Sequence, residues 1–438
     1  MKLLARGAII LLMKRSEILE KPLKIAEKFF KTDAKYLASG GFWVTLAQIV
    51  GLPITFLISL AYANLLPKEI YGNYRYIISF VNAVSIFTLP GMDTAITRAV
   101  ARGYDGTFRK GGMYIFFSSF CITLLCLGAS AFYLFNHNKT LGFAFIVVAF
   151  LIPLVEGLGN WKAYLNGKAK FREKSIYNIT TKSIYGIAML GTIGIINYKN
   201  LSLAPGTALL IAAFFASQGI PNIYYYFKLF RRVAPDAAVE PGSVQYGFKL
   251  VSSNGLTSIS TYLDGILLFH FLGAAPLAVY SFAIAIPEQV KTFFTTLGTV
   301  VFPKLAVHYN EKNGHLKIKS TLPQKILRAS FFSIIAVLLY LLLAPFIYHI
   351  FFPSYLDSVR FSQIFALSLL FIPASIFSDA LNAEGNIKKI YTYKTIAPIS
   401  QIALLVILIP PYGIWGAVWG RVLGRFINYL LLLLLFKY

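Results

Sequence analysis

The residues of this chain best placed to do chemistry are polar and ionisable side chains set inside long apolar runs. An ionised group at mid-bilayer costs at least about 2.5 kcal/mol and is kept where it is paired or used. One run carries Asn254, Thr257, Ser258, Thr261 and Asp264, a spacing that puts them on one face of a helix. Another repeats the device with Glu288, Lys291, Thr292 and Thr295. Arg75, Ser79, Asn82 and Ser85 make a third stripe, and Thr45, Gln48, Thr55 and Ser59 a weaker fourth. Near the C-terminus, Arg421 and Arg425 lie one turn apart beside Gly416, Gly420 and Gly424, whose four-residue repeat makes a flat face for close helix contact.

These residue types bind rather than make bonds. Hydroxyls and amides at such spacing either hydrogen-bond neighbouring helices, at about 0.6 kcal/mol each, or line a water-accessible cavity. Glu288 and Lys291, three apart, either neutralise each other or serve gating or coupling. For the two arginines, one reading is pairing with an acid such as Glu156, Asp264 or Asp379. The other is an anion site, because guanidinium forks match phosphate oxygens. Cys121 and Cys126 share one apolar run without metal or redox spacing, and His137, His270, His308, His315 and His349 are scattered. No metal, cofactor or histidine-based catalytic group is expected.

The elements that carry these stripes follow from composition. The chain is 57% hydrophobic and 13% charged, against about 25% charged for an ordinary soluble domain. Its formal charge of +24 lies in short clusters between apolar runs, which reads as a topology signal and excludes a nucleic-acid partner. Runs long enough at 1.5 Å per residue to cross about 30 Å of hydrocarbon are expected over 41–66, 75–96, 111–135, 141–165, 179–197 and 206–229. Six more follow over 246–271, 279–302, 326–351, 359–380, 391–409 and 413–436. The fold class is therefore an all-α integral membrane protein of about twelve transmembrane helices. The third and ninth runs lack a charged stripe and are expected toward lipid. Pro53, Pro90 with Gly91, and Pro287 are expected to bend the helices that carry them.

Basic residues resist translocation, so they mark the cytoplasmic loops. Of the 41 Lys and Arg, nearly all fall in the N-terminal segment and the even-numbered connections. The other side holds only Lys68, Arg75, Lys139, Lys199 and Arg360. Both termini are thus placed in the cytoplasm and the protein in the inner (plasma) membrane. A shift of 206 aligns Gly41-Phe42 with Gly247-Phe248, Leu66 with Leu272, Tyr74 with Tyr280 and Phe87 with Phe293, and one of 216 aligns Leu165-Asn166 with Leu381-Asn382. Six spans per half is an even number, so the halves would be related by a pseudo-twofold along the membrane normal. The division is a cytoplasmic segment over 1–36, an N-lobe over 37–230, a basic linker over 231–245 and a C-lobe over 246–438. The first apolar stretch, 3–13, is too short to span and lacks a cleavage site, so it is not read as a signal peptide. Met13, or an amphipathic approach over 25–30, fits as the start of the ordered protein.

With those residues in view, the chain resembles the polysaccharide and oligosaccharide-lipid flippases of the multidrug/oligosaccharidyl-lipid/polysaccharide exporter superfamily. The resemblance rests on Leu65-Leu66-Pro67 with Tyr71-Gly72 and Tyr74, on Gly91 through Arg98, and on Leu165-Asn166-Gly167 with Phe171. It rests above all on Tyr262-Leu263-Asp264 running through Leu267, Leu268, Leu272 and Gly273 to Tyr280-Ser281. It covers residue 37 to the C-terminus, and Ala278 stands where such proteins often carry Gly, so it names a family and not a substrate. It implies two six-helix lobes in a V around a cationic cavity, open to each side in turn, which carries an isoprenoid-diphosphate-linked oligosaccharide outward. Polymerase or glycosyltransferase components of the same pathway are the implied partners.

On that reading Arg75, Lys291, Arg421 and Arg425 contact the headgroup and Asp264 is a coupling acid. Gln48, Asn82, Asn254, Ser258, Thr261 and Glu288 complete the cavity. Each negative charge leaving a negative interior gains about 2.3 kcal/mol per 100 mV. One alternative is a drug or small-solute exporter of the same superfamily. The other is a membrane polymerase or ligase, which the short outer connections disfavour, so the chain is not read as an enzyme.

Overall fold

In the computed structural model the described residues are 34–309, 314–374, 376–378, 381 and 387–437, nearly all of them α-helical. Residues 1–33, Met13 among them, and Asp379 lie outside them, as do the side chains of Thr45, Asn254 and Thr295. The first half comprises α1 (Ala34–Leu65), α2 (Lys68–Ala83), α3 (Pro90–Ala101), α4 (Gly106–Phe135), α5 (Lys139–Ile152), α6 (Trp161–Gly167), α7 (Phe171–Tyr198) and α8 (Leu203–Phe230). After the linker come α9 (Ser243–Leu272), α10 (Ala274–Tyr309), α11 (Gly314–Phe351), α12 (Ser358–Ala366) and α13 (Ile387–Lys437).

Among the described residues nine helices are long and apolar enough to cross a membrane, or ten when α2 and α3 count as one bent span. Two features separate this count from the expected twelve. The eleventh and twelfth expected spans form the single element α13, broken at Gly413, where φ is 56° and ψ −126°. The eighth lies in α10, whose side chains beyond residue 292 are outside the description. The second expected span is bent by 51°. Its α2 runs into a 3-10 turn, Val84–Thr88, Leu89 turns left-handed at φ 56°, and Pro90 opens α3 at a position where a missing N–H costs nothing. Pro53 and Pro287 instead sit inside α1 and α10, which run unbroken across them. A proline in a membrane helix loses one backbone bond, which neighbouring helices can offset so that the helix continues.

Before the linker, α1 packs on α7, α4 on α5, α5 on α8 and α7 on α8; after it, α9 packs on α13 and α10 on α12. The two sets meet where α2 lies on α9 and α10 and where α3 lies on α9. At three points of that seam glycines bring the backbones close, because a backbone can approach only where no side chain intervenes. A Cβ on Gly72 would lie 1.9 Å from the Ala274 carbonyl oxygen, one on Gly265 2.4 Å from Ser79 Oγ, and one on Gly91 2.4 Å from the Gly247 oxygen. Around the seam a buried apolar core runs through Ile58, Ile77, Phe145, Val148, Ile193, Phe215, Leu268 and Phe365. The expected lipid-facing third and ninth spans turn large apolar side chains outward, among them Phe117 and Leu124 on α4 and Leu338 and Leu342 on α11. Such surface suits acyl chains and not water.

The linker is pinned rather than loose. Gly106 N–H donates to the Ala238 oxygen at 3.0 Å, Arg102 pairs with Glu240 at 2.8 Å, and Val233 is buried against the first set of helices.

Candidate functional site

Asp264 stands about six turns into α9 and is only 3% exposed. A buried carboxylate must have its oxygens filled, and here four donors converge on it. Its own Gly265 N–H donates at 2.8 Å, the Tyr280 hydroxyl donates to Oδ2, and Arg421 brings Nε at 2.9 Å and Nη2 at 2.7 Å. Arg421 also caps the Thr261 carbonyl. One turn on along α13, Arg425 pairs with Glu288, donates to Ser368 Oγ at 2.6 Å and lies over the Phe365 ring at 5.0 Å. Glu288 is shared, with Lys291 at 3.2 Å and Arg421 Nη1 at 3.9 Å. From the other set of helices Arg75 reaches across the seam, its Nε donating to Ser281 Oγ at 3.2 Å.

These groups surround one cavity of about 730 Å³, walled by α2, α9, α10 and α13. Its described lining holds the basic residues Arg75, Lys291, Lys394, Arg421 and Arg425 against the acids Asp264 and Glu288, a surplus of positive charge. Such a cavity can hold an anion of drug-like size. Of the residues singled out from the sequence, it brings together Arg75, Ser258, Thr261, Asp264, Glu288, Lys291, Arg421 and Arg425.

Two others are left outside it. Gln48 is exposed on α1, and Asn82 donates to the Ile78 oxygen of its own helix at 2.8 Å. Asn254 falls among the side chains outside the description. Of the hydroxyls, Thr55 bonds the Gly51 oxygen at 2.9 Å and Ser59 the Thr55 oxygen at 2.9 Å, while Thr261, which does line the cavity, also bonds the Thr257 oxygen at 2.7 Å. A hydroxyl that bonds back along its own helix needs no cavity and no partner helix. The wall expected from α1 is therefore supplied by α13, which adds Tyr393, Lys394, Gln401 and Asn428. These four were not among the residues singled out from the sequence for the cavity, and Asn428 lies across the Gly413 break from the other three.

At the Lys68 end of the seam the two sets are tied together. Asn64 donates to the Phe351 oxygen at 3.1 Å, Lys68 lies 3.8 Å from Asp357 and over the Tyr355 ring, and the Tyr71 and Phe282 rings pack at 5.0 Å.

The fold is one shared with solved membrane transporters. A multidrug resistance MATE family transporter of the MOP superfamily, in an inward-facing conformation, superposes with a TM-score of 0.69 at 15% identity, over 87% of this chain and 95% of that one. The lipid II flippase MurJ, inward closed, gives 0.67 at 16% identity over 92% and 88%. Within that fold the family is defined by sequence: residues 37–309 match the model of the polysaccharide biosynthesis protein family, and the chain belongs to it. A putative O-antigen transporter of Shigella flexneri is 23% identical over 378 residues, 80% of this chain and 86% of that protein. The resemblance read from Tyr262-Leu263-Asp264 and its companions is borne out.

Proposed function

We propose that this protein is a flippase that moves an isoprenoid-diphosphate-linked oligosaccharide from the cytoplasmic to the outer leaflet by alternating access. The observation that carries the reading is the basic surplus of Arg75, Lys291, Lys394, Arg421 and Arg425 around one cavity inside the membrane-spanning helices. Phosphate oxygens are what such a cluster attracts. The family match and the flippase among the structural neighbours favour the same substrate class.

By the distribution of basic loops, the Lys68 end faces outside and both termini face the cytoplasm of an inner-membrane protein. The ties from Asn64, Lys68 and Tyr71 then hold the outer end shut while the headgroup enters from the cytoplasmic half. A diphosphate that competes for Arg421 would release Asp264 to take up a proton or cation, which makes Asp264 the coupling acid. Opening of the outer end, driven in part by about 2.3 kcal/mol per charge per 100 mV, would deliver the headgroup. Glycosyltransferase and polymerase components would supply and consume it.

A cationic-drug exporter fits less well, because both cavity acids are engaged, Asp264 by Arg421 and Glu288 by Arg425 and Lys291. The test is flipping of a fluorescent isoprenyl-diphosphate sugar in proteoliposomes by the Arg75→Gln, Lys291→Gln, Lys394→Gln triple variant, which spares the Asp264–Arg421 pair. A loss of at least about tenfold is expected, one charge-assisted bond alone being worth that much. Unchanged flipping sinks the reading.

A further inference from the structure

The cavity lining is mixed in character. Around Asp264 and Glu288, with Lys291 among their partners, it is ionic, and it also holds neutral groups: the amides Gln401 and Asn428 and the rings of Tyr262 and Tyr393. The amides are brought together by the break at Gly413, which folds α13 back so that Gly424 lies against Gln401. A Cβ on Gly424 would be 1.9 Å from Gln401 Oε1, so the amide end of Gln401 packs directly against this glycine. Gln401 donates through Nε2 to the Gly420 oxygen at 3.3 Å, which leaves its own oxygen as an acceptor. Asn428 Oδ1 is shielded from solvent and receives no hydrogen bond. A polar atom held that way inside a membrane protein calls for a function, since an apolar residue of the same size would otherwise serve better.

A diphosphate diester at neutral pH has no hydrogen to donate, so amide oxygens do not recruit it. Sugar hydroxyls are donors as well as acceptors and satisfy both ends of an amide. Tyrosine rings offer a flat apolar face to the C–H side of a pyranose, with a hydroxyl at the tip. We infer that Gln401 and Asn428, with Tyr262 and Tyr393 of the same lining, form a subsite for the glycosyl part of the headgroup and set which sugar the protein accepts. This rests on the flippase reading and adds to it a division of labour: cationic residues take the diphosphate, and these neutral groups read the sugar.

The experiment measures equilibrium binding of farnesyl diphosphate diesters of equal charge, carrying either a methyl group (the bare probe) or glucose, galactose, mannose or N-acetylglucosamine, to the full detergent-solubilised chain. The readout is the ratio of bare-probe to sugar-probe Kd, which partial loss of folded protein does not move. Wild type is expected to bind at least one sugar-bearing probe about tenfold more tightly than the bare one. The near-isosteric Gln401→Met, Asn428→Leu variant should bring that ratio close to one, because losing two neutral hydrogen bonds amounts to about tenfold. A variant that keeps the wild-type ratio, or a wild type with no preference among the probes, overturns the sugar subsite while leaving the flippase reading standing. A wild type that binds none of the probes overturns both.

Discussion

Replacing Asp264 by Asn is the sharpest test of the charged centre. The side chains of Asp264 and Arg421 are 5% and 14% exposed, so both charges are largely out of water. Removing one member of a buried pair costs about 3–5 kcal/mol, because the survivor is left charged and unpaired. Asparagine keeps the shape and one carbonyl oxygen, which can still accept from Gly265 N–H at the Oδ1 position, while its amide nitrogen takes the Oδ2 position and can donate to the Tyr280 hydroxyl. The loss therefore falls on Arg421, whose next carboxylate, Glu288, is 3.9 Å away, and a cost near the lower end, about 3 kcal/mol, is expected. Arg421→Gln alone should cost a similar amount by stranding the carboxylate. In the double variant neither charge remains, so its total cost should stay close to that of one single, a coupling of about 3 kcal/mol. The assay is unfolding by dodecyl sulfate titration in mixed micelles, followed by tryptophan fluorescence. Strictly additive losses, or an Asp264→Asn cost below about 1 kcal/mol, would refute the reasoning that these two residues neutralise each other inside the protein.

Two further predictions concern the seam. Gly72→Val places branched carbons where the Ala274 carbonyl oxygen already sits 1.9 Å from an ideal Cβ. It should part α2 from α10, and a cysteine at Ser281 should then react at least severalfold faster with an impermeant maleimide; an unchanged rate would mean that the contact does not hold the seam closed. Lys68→Ala removes a pair whose Asp357 side chain is 78% exposed. It should change stability by no more than about 1 kcal/mol, and a larger drop in unfolding midpoint would show that this tie carries more than a solvated pair can.

How much of this could be read beforehand depends on the physical force behind each feature. Apolar runs of spanning length are dictated by the bilayer, so α4, α7, α8 and α9 were legible from residue type alone. The centre was legible for a related reason: Asp264, Glu288, Lys291, Arg421 and Arg425 interrupt apolar runs, and charges that costly must turn inward and meet. Gln48 and Asn82 do not line the cavity, and an amide or hydroxyl on a helix has a competing partner in its own backbone, as Asn82 has in the Ile78 oxygen. No spacing rule distinguishes the two outcomes.

The sequence by itself thus determined that the chain crosses a membrane many times, that polar faces share its interior, and which charged residues must gather there, since hydrocarbon penalises every alternative. Only the tertiary structure decided which acid holds which arginine, and that α13 rather than α1 walls the cavity. Those choices depend on backbone breaks at Leu89 and Gly413 and on how closely glycine lets helices approach. Both are matters of a few dihedral angles and a few ångströms, set by packing between residues far apart in the chain.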